Sequence, residues 1–215
     1  MSTYHGTCVE DAVSVDRTSA QSTGAGIAGA GRRPAGSHRP AFRDDRPAAR
    51  EGRPAPRDER SFRTLMGRYP TGVVLVTAAT PDGPVGMAVN SFASVSLTPP
   101  LVSFCAALTS DTWARLKRVP GFAVNILGGD HEDVCRLFAR HGADRFAEHA
   151  WTTTPDGHPL LADAVGWIDT RVEHVHPAGD HDLVIARASG WSDPRSHAPL
   201  VFYSGRFHAL EGDTP

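Results

Sequence analysis

From Val73 onward the chain is a succession of short, apolar, β-branched runs, each cut off by Pro, Gly or Asp, and this limits its fold more than any other feature. VVLVTAAT (73–80) is the first, PDG (81–83) supplies a turn, and PVGMAVNSFASVSL (84–97) resumes as a second strand. TPP (98–100) breaks the chain before LVSFCAAL (101–108), and GFAVNIL (121–127) is a fourth run. A loop through TTTPDGHP (152–159) leads to AVGWIDTRVEHVH (164–176), HDLVIARASGW (181–191) and APLVFYSGRFHAL (198–210). Helical patterning is confined to three places. ERSFRTLMGRY (59–69) sets Phe62, Leu65, Met66 and Tyr69 on one face and ends at Pro70 and Gly72. SDTWARLKRV (110–119) starts with Ser110 or Asp111 as N-cap, and DHEDVCRLFARHG (130–142) starts with acids and is closed by Gly142. Short connections between strands predict a mainly β, antiparallel barrel with a few helices in place of alternating βαβ units.

The residues before this pattern behave differently. Ser19 to Pro56 is dominated by Gly, Ala, Arg and Pro and has no apolar period. Such a stretch cannot bury enough surface to offset a chain entropy of roughly 1–2 kcal/mol per residue. Residues 1–58 are therefore expected to be a disordered tail, and 59–210 the folded domain. An Arg-rich binding arm is the alternative, weakened because ten arginines in residues 1–60 alternate with eight acids.

A net charge of −2 over 215 residues argues against nucleic acid as the main partner. No apolar run approaches the ~18 residues a membrane span needs, and the start lacks a basic-then-apolar signal. The three cysteines, Cys8, Cys105 and Cys135, are odd in number and widely spaced, which suggests neither a disulfide framework nor a zinc site. A reducing cytoplasmic setting is the default expectation.

Few residues carry recognisable chemistry. There is no GxGxxG after the first strand, no P-loop and no GxSxG, which weakens dinucleotide-fold dehydrogenases, NTPases and α/β-hydrolases together. His174 and His176 would share one strand face, but spacing fixes no third ligand, so no metal is assigned. NSFASVSLTPP crowds Asn90, Ser91, Ser94 and Ser96 into a strand-to-turn segment. That suits a polar ring lying against backbone amides, or equally an edge strand with a polar face. In ALTSDTW a strand ends and a helix begins, so Ser110 and Thr112 either add donors to a bound phosphate or serve as ordinary caps. His181 starts a strand directly after GD, so its imidazole is expected at a barrel rim and not in the core.

Taken in order, FRTLMGRYPTGVVLVTA, PVGMAVNSFASVSLTPPLVSFC, SDTWARLKRVPGFAVNIL, RLFARHGADRFAEHAW, GHPLLADAVGWIDTRV, GDHDLVIARA and PLVFYSGRF resemble the flavin reductase-like domain family of FMN-binding split barrels. The resemblance spans about residues 60–208, and NSFASVSLTPPLV with the downstream GDH is its most specific part. It implies an NAD(P)H:flavin oxidoreductase using FMN or FAD with NADH or NADPH, a homodimer, and a partner monooxygenase that receives reduced flavin. Site roles follow by resemblance alone. Gly86, Met87, Ala88, Val89, Asn90 and Ser91 match the strand beside the flavin; Ser94, Val95 and Ser96 match the segment at the ring edge. Ala106, Ala107 and Leu108 match the next strand end, Ser110 and Thr112 the phosphate cradle, and Arg145 and Phe146 a loop that closes on flavin or nicotinamide. His181 matches the histidine facing the nicotinamide. Two rivals share the fold: a flavoprotein that keeps FMN for its own organic substrate, and a non-enzymatic flavin- or haem-binding module.

Overall fold

The computed structural model describes residues 58–140 and 144–210. The proposed tail lies outside these residues except for Asp58, which caps the first helix: its Oδ1 accepts from the Ser61 N–H at 2.8 Å. That helix, α1 (Glu59–Met66), stops earlier than the sequence pattern suggests, at Gly67.

The strands follow as β1 (Thr71–Gly72), β2 (Val74–Thr80), β3 (Gly83–Val89), β4 (Ala93–Leu97) and β5 (Pro100–Ala107). Helix α2 (Asp111–Leu116), β6 (Gly121–Ile126) and α3 (Glu132–Phe138) come next. The chain then forms β7 (Trp151–Thr153), β8 (Pro159–Leu161), β9 (Gly166–Ala178), β10 (His181–Trp191), β11 (Leu200–Tyr203) and β12 (Arg206–Ala209). The main sheet has seven strands in the order β3-β2-β6-β9-β10-β5-β4, and its pairings are antiparallel. The antiparallel barrel read from the sequence is the fold observed.

Its outer strands, β3 and β4, are consecutive in the chain, so the sheet curls until its edges meet at Asn90–Phe92. Closure there uses a side chain in place of a ladder. The Cys105 N–H on β5 donates to Ser91 Oγ at 2.9 Å, and that hydroxyl donates to the Cys105 carbonyl at 3.2 Å. The 84–97 run expected as one strand is therefore two, because the chain must turn the corner between sheet edges.

Two apolar clusters flank the wall. Val74, Val76 and Ala78 point inward with Met87, Phe104, Trp113, Phe122 and Val184. Val73 and Leu75, of the opposite parity, point outward into a layer with Phe138, Leu161, Leu200 and Phe202. Strands covered on both faces read as continuous apolar runs, which explains the sequence around Val73.

Two further departures are local. The TTTPDGHP loop contains most of the β7–β8 hairpin, docked by buried polar groups: Thr77 Oγ1 donates to the Pro159 carbonyl at 2.6 Å, and Leu161 N–H donates to Asn125 Oδ1 at 2.8 Å. The APLVFYSGRFHAL run is a hairpin, β11–β12, turning through Ser204 and Gly205 at φ 51° and 77°. Ser-Gly supports this primed turn, since glycine takes positive φ at no steric cost. Gly142, read as the stop of α3, lies outside the described residues; the helix closes at Ala139.

Candidate active site

The site is built where the barrel edges meet. His181 is the first residue of β10, opposite Ala107 of β5 and Ala178 of β9. It follows Gly179, whose φ of 71° lets the β9–β10 connection reverse tightly. Strand alternation sends Asp182, Val184 and Ala186 into the barrel and leaves His181 on the other face, its side chain 13% exposed. It lines a cavity of about 770 Å3. Asn90, Ser91, Phe92 and Ala93 from the barrel corner share this cavity, with Phe62 and Met66 of α1 opposite and Thr71 and Phe202 at its margin.

The chemistry of this cavity is mixed. Apolar and aromatic groups supply most of its walls, with polar side chains from α1 (Glu59, Arg63), from the barrel corner and from Asp180–His181, the usual make-up of a small-molecule site. Among the described residues, Asn90 Oδ1 is buried without a hydrogen-bond partner, as is Thr71 Oγ1. Buried polar atoms are normally satisfied, so such orphans at a cavity fit a polar heterocyclic ligand. His181 Nδ1 lies 2.7 Å from Asp180 Oδ1. This bond holds the Asp180 carboxyl below the usual carboxylate range.

A second cluster forms further along β3. Arg145 Nη1 donates to the Gly86 carbonyl at 2.8 Å and to Thr112 Oγ1 at 3.0 Å, placing a permanent cation beside the first turn of α2. Ser110 caps that helix, its Oγ accepting from the Trp113 N–H at 3.2 Å. Asp111 is exposed in the same turn. From Gly86 to Asn90 the chain advances four residues, about 13 Å at strand rise.

Of the residues singled out in the sequence, Asn90, Ser91 and His181 meet at the cavity, and Gly86, Ser110, Thr112 and Arg145 gather at the second cluster. The others belong to neither group. Met87, Ala88 and Val89 are fully buried in the barrel wall, as are Ala106 and Ala107. Gly86 is itself a packing glycine, since an added Cβ would lie 2.6 Å from Phe138 Cε1. Ser94, Val95 and Ser96 lie on the outer strand β4, and Leu108 is exposed. Phe146 packs its ring against Trp151 at 4.8 Å and Phe138 at 5.3 Å, within the outer apolar layer. His174 and His176 stack at 5.6 Å on β9, and among the described residues no group of three potential ligands is disposed to hold a metal. No described helix is long and apolar enough to cross a membrane.

Sequence reasoning missed Phe62, Met66 and Thr71 as cavity residues. The helical period of Phe62 and Met66 signalled a buried face, and nothing local says that the face looks onto a cavity.

The model of the flavin reductase like domain matches residues 66–211, more than half of the chain and nearly all of the described residues. The chain belongs to that family. Among its flavin reductase-like relatives, a reductase subunit of a flavin-dependent monooxygenase from Rhodococcus jostii is 41% identical over 156 residues, covering 73% of this chain and 80% of the relative. A flavin reductase from Pseudomonas putida is 40% identical over 151 residues, 70% of this chain and 89% of the other. In three dimensions the chain is similar to an NADH:FAD oxidoreductase from Streptomyces globisporus, solved in complex with NAD and FAD fragments. That likeness has a TM-score of 0.69 at 33% identity and covers 74% of this chain and 96% of the other.

Proposed function

We propose that this chain is an NAD(P)H:flavin oxidoreductase that passes reduced flavin to a partner monooxygenase and works as a homodimer. The observation that carries the reading is the convergence of Asn90, Ser91 and His181 on one cavity in a flavin reductase-like barrel. When bound, FMN or FAD supplies the hydride-accepting chemistry, with NADH or NADPH as the donor.

What remains for the protein is binding, orientation and charge. The corner segment Asn90–Ala93 would hold the flavin ring, with Ser94, Val95 and Ser96 beside it. Ser91 sets the position of this segment, because its hydroxyl is tied at both ends to the Cys105 main chain. Thr112, Ser110 and Arg145 would hold the phosphate end, where Arg145 adds positive charge to a helix start. Gly86, Met87, Ala88, Val89, Ala106, Ala107 and Leu108 contribute the wall and strand ends that space the two groups. Phe146 sits on the segment that also presents Arg145, and its stacking anchors that segment.

His181 faces the nicotinamide in this reading. An ionised carboxylate can only accept, so the Asp180 contact orients the ring and keeps a proton on Nδ1. Phe62, Phe92 and Phe202 would offer apolar surface to the ring faces. A protein nucleophile is not needed for hydride transfer.

The homodimer accounts for α1. Phe62 and Leu65 on α1 and Tyr69 just after it are 64%, 62% and 68% exposed, and such a patch is normally covered by a symmetric partner.

The decisive experiment is anaerobic oxidation of NADH and of NADPH with FMN, FAD and riboflavin in turn. Flavin-dependent oxidation with at least one pair is expected. No oxidation with any pair would end the proposal.

A further inference from the structure

Inside the barrel mouth, one hydrogen bond joins helix α2 to the start of β10. Trp113 Nε1 of α2 donates to Asp182 Oδ2 of β10 at 2.8 Å, with the two residues 1% and 8% exposed. Asp182 is a carboxylate on the inward face of a strand whose next inward residues are Val184 and Ala186. No basic side chain among the described residues pairs with it. The indole N–H satisfies a buried carboxyl that would be costly to leave unpaired.

Both ends need such support. His181 and Asp182 open β10 directly after a turn, where a strand frays first. On the other side, α2 has six residues, too few to hold its own shape or direction. Its direction comes from Trp113, whose indole lies in the inner core, edge-on to Phe104 at 6.0 Å and 85°. The indole N–H then ties α2 to the residue next to His181.

We infer that Trp113 and Asp182 are positioning residues that set the relative placement of His181 and the Ser110–Thr112 turn. Neither touches a ligand; each acts through its chain neighbour. The inference rests on the functional reading above, in which His181 serves the nicotinamide and Thr112 the phosphate.

The test uses the full chain and three variants: Trp113→Phe, which removes the donor and keeps the ring; Asp182→Ala, which removes the acceptor; and Asp182→Asn, which keeps an acceptor oxygen. Fluorescence titration gives the affinities for FMN and riboflavin, steady-state kinetics gives KM and kcat for NADH, and urea unfolding reports stability. Trp113→Phe and Asp182→Ala are expected to raise KM for NADH at least about fivefold and to reduce the preference for FMN over riboflavin by a similar factor, with kcat changing less. Asp182→Asn is expected to restore both toward the parent values. If the first two variants move only the urea midpoint, the bond is merely structural and the inference fails. It also fails if Asp182→Asn is as damaging as Asp182→Ala, since the charge and not the bond would then matter. His181→Ala and Thr112→Ala serve as references. Should these leave NADH and FMN binding untouched, the functional reading fails first, and a changed Trp113→Phe protein would then point to a different ligand.

Discussion

Asp180 and His181 are neighbours in the chain, and their side chains bond to each other, Oδ1 to Nδ1 at 2.7 Å, at the edge of the cavity. An exposed acid thereby orients a mostly buried imidazole and keeps a proton on its Nδ1. Replacing His181 by Ala is expected to lower kcat/KM for NAD(P)H by about tenfold or more, roughly 1.4 kcal/mol of transition-state stabilisation. Asp180→Asn should show a smaller fall, because the ring remains but its orientation loosens. Flavin affinity, read by fluorescence quenching, should hardly change in either. A His181→Ala variant that chiefly loses flavin would place this histidine on the wrong ligand. His174→Ala and His176→Ala, on the exposed part of β9, should be nearly silent.

The contact of Arg145 with Thr112 leads to a second expectation. Thr112→Ala and Ser110→Ala should weaken FMN more than riboflavin, which has no phosphate to lose. A hydrogen bond to a charged group contributes about 1.5–3 kcal/mol, so losses of ten- to a hundredfold for FMN are the scale to look for. Ser110→Ala should in addition lower stability by about 1 kcal/mol, since it removes the cap of α2. Equal weakening of both flavins by both variants would put the phosphate elsewhere.

A third concerns pH and stability. Burial holds the His158 imidazole below its ordinary value, with Asp169 and Asp156 opposing the shift and Arg171 adding to it. Its Nδ1 accepts from the Ala79 N–H at 3.4 Å, a bond only the unprotonated nitrogen can make. Between the folded and unfolded values the unfolded chain binds more protons, so stability rises with pH there. The contribution is complete above about pH 6.5 and is lost as pH falls through the lower, folded value. Urea midpoints measured from about pH 5 to about pH 8 should therefore drop on the acid side, and His158→Gln should flatten that drop. An unchanged slope in the variant would assign the acid loss to other groups.

The fourth expectation is about assembly. Leu65 is exposed on α1 and is absent from the cavity lining, so it separates the interface from the site. Sedimentation should find the parent chain as a dimer. Burying a side chain of this size contributes about 1.5–3 kcal/mol, so Leu65→Glu should shift the equilibrium strongly toward monomer. A parent protein that sediments as a fully active monomer would remove the case for the dimer.

Much of this protein could be read along the chain. Apolar runs such as VVLVTAAT, the Ser110 cap, and the turn at PDG are local signals, because burial on both faces, orphan helix N–H groups and positive φ each demand particular residue types in place. Other features needed distant partners. Ser91 is the same serine whether it touches a ligand or clasps Cys105, and only the curling of the sheet decides which. The period of Phe62, Leu65 and Met66 announces an apolar face but cannot say that the other described residues leave it exposed. Asp182 reads as one more polar residue in a strand until Trp113, 69 positions away, is brought to 2.8 Å from it. Helix and strand periods are set by neighbours three, four or two residues apart, so sequence carries them directly. Which side chains meet across the barrel depends on register and closure, and these are decided by the packing of the whole sheet.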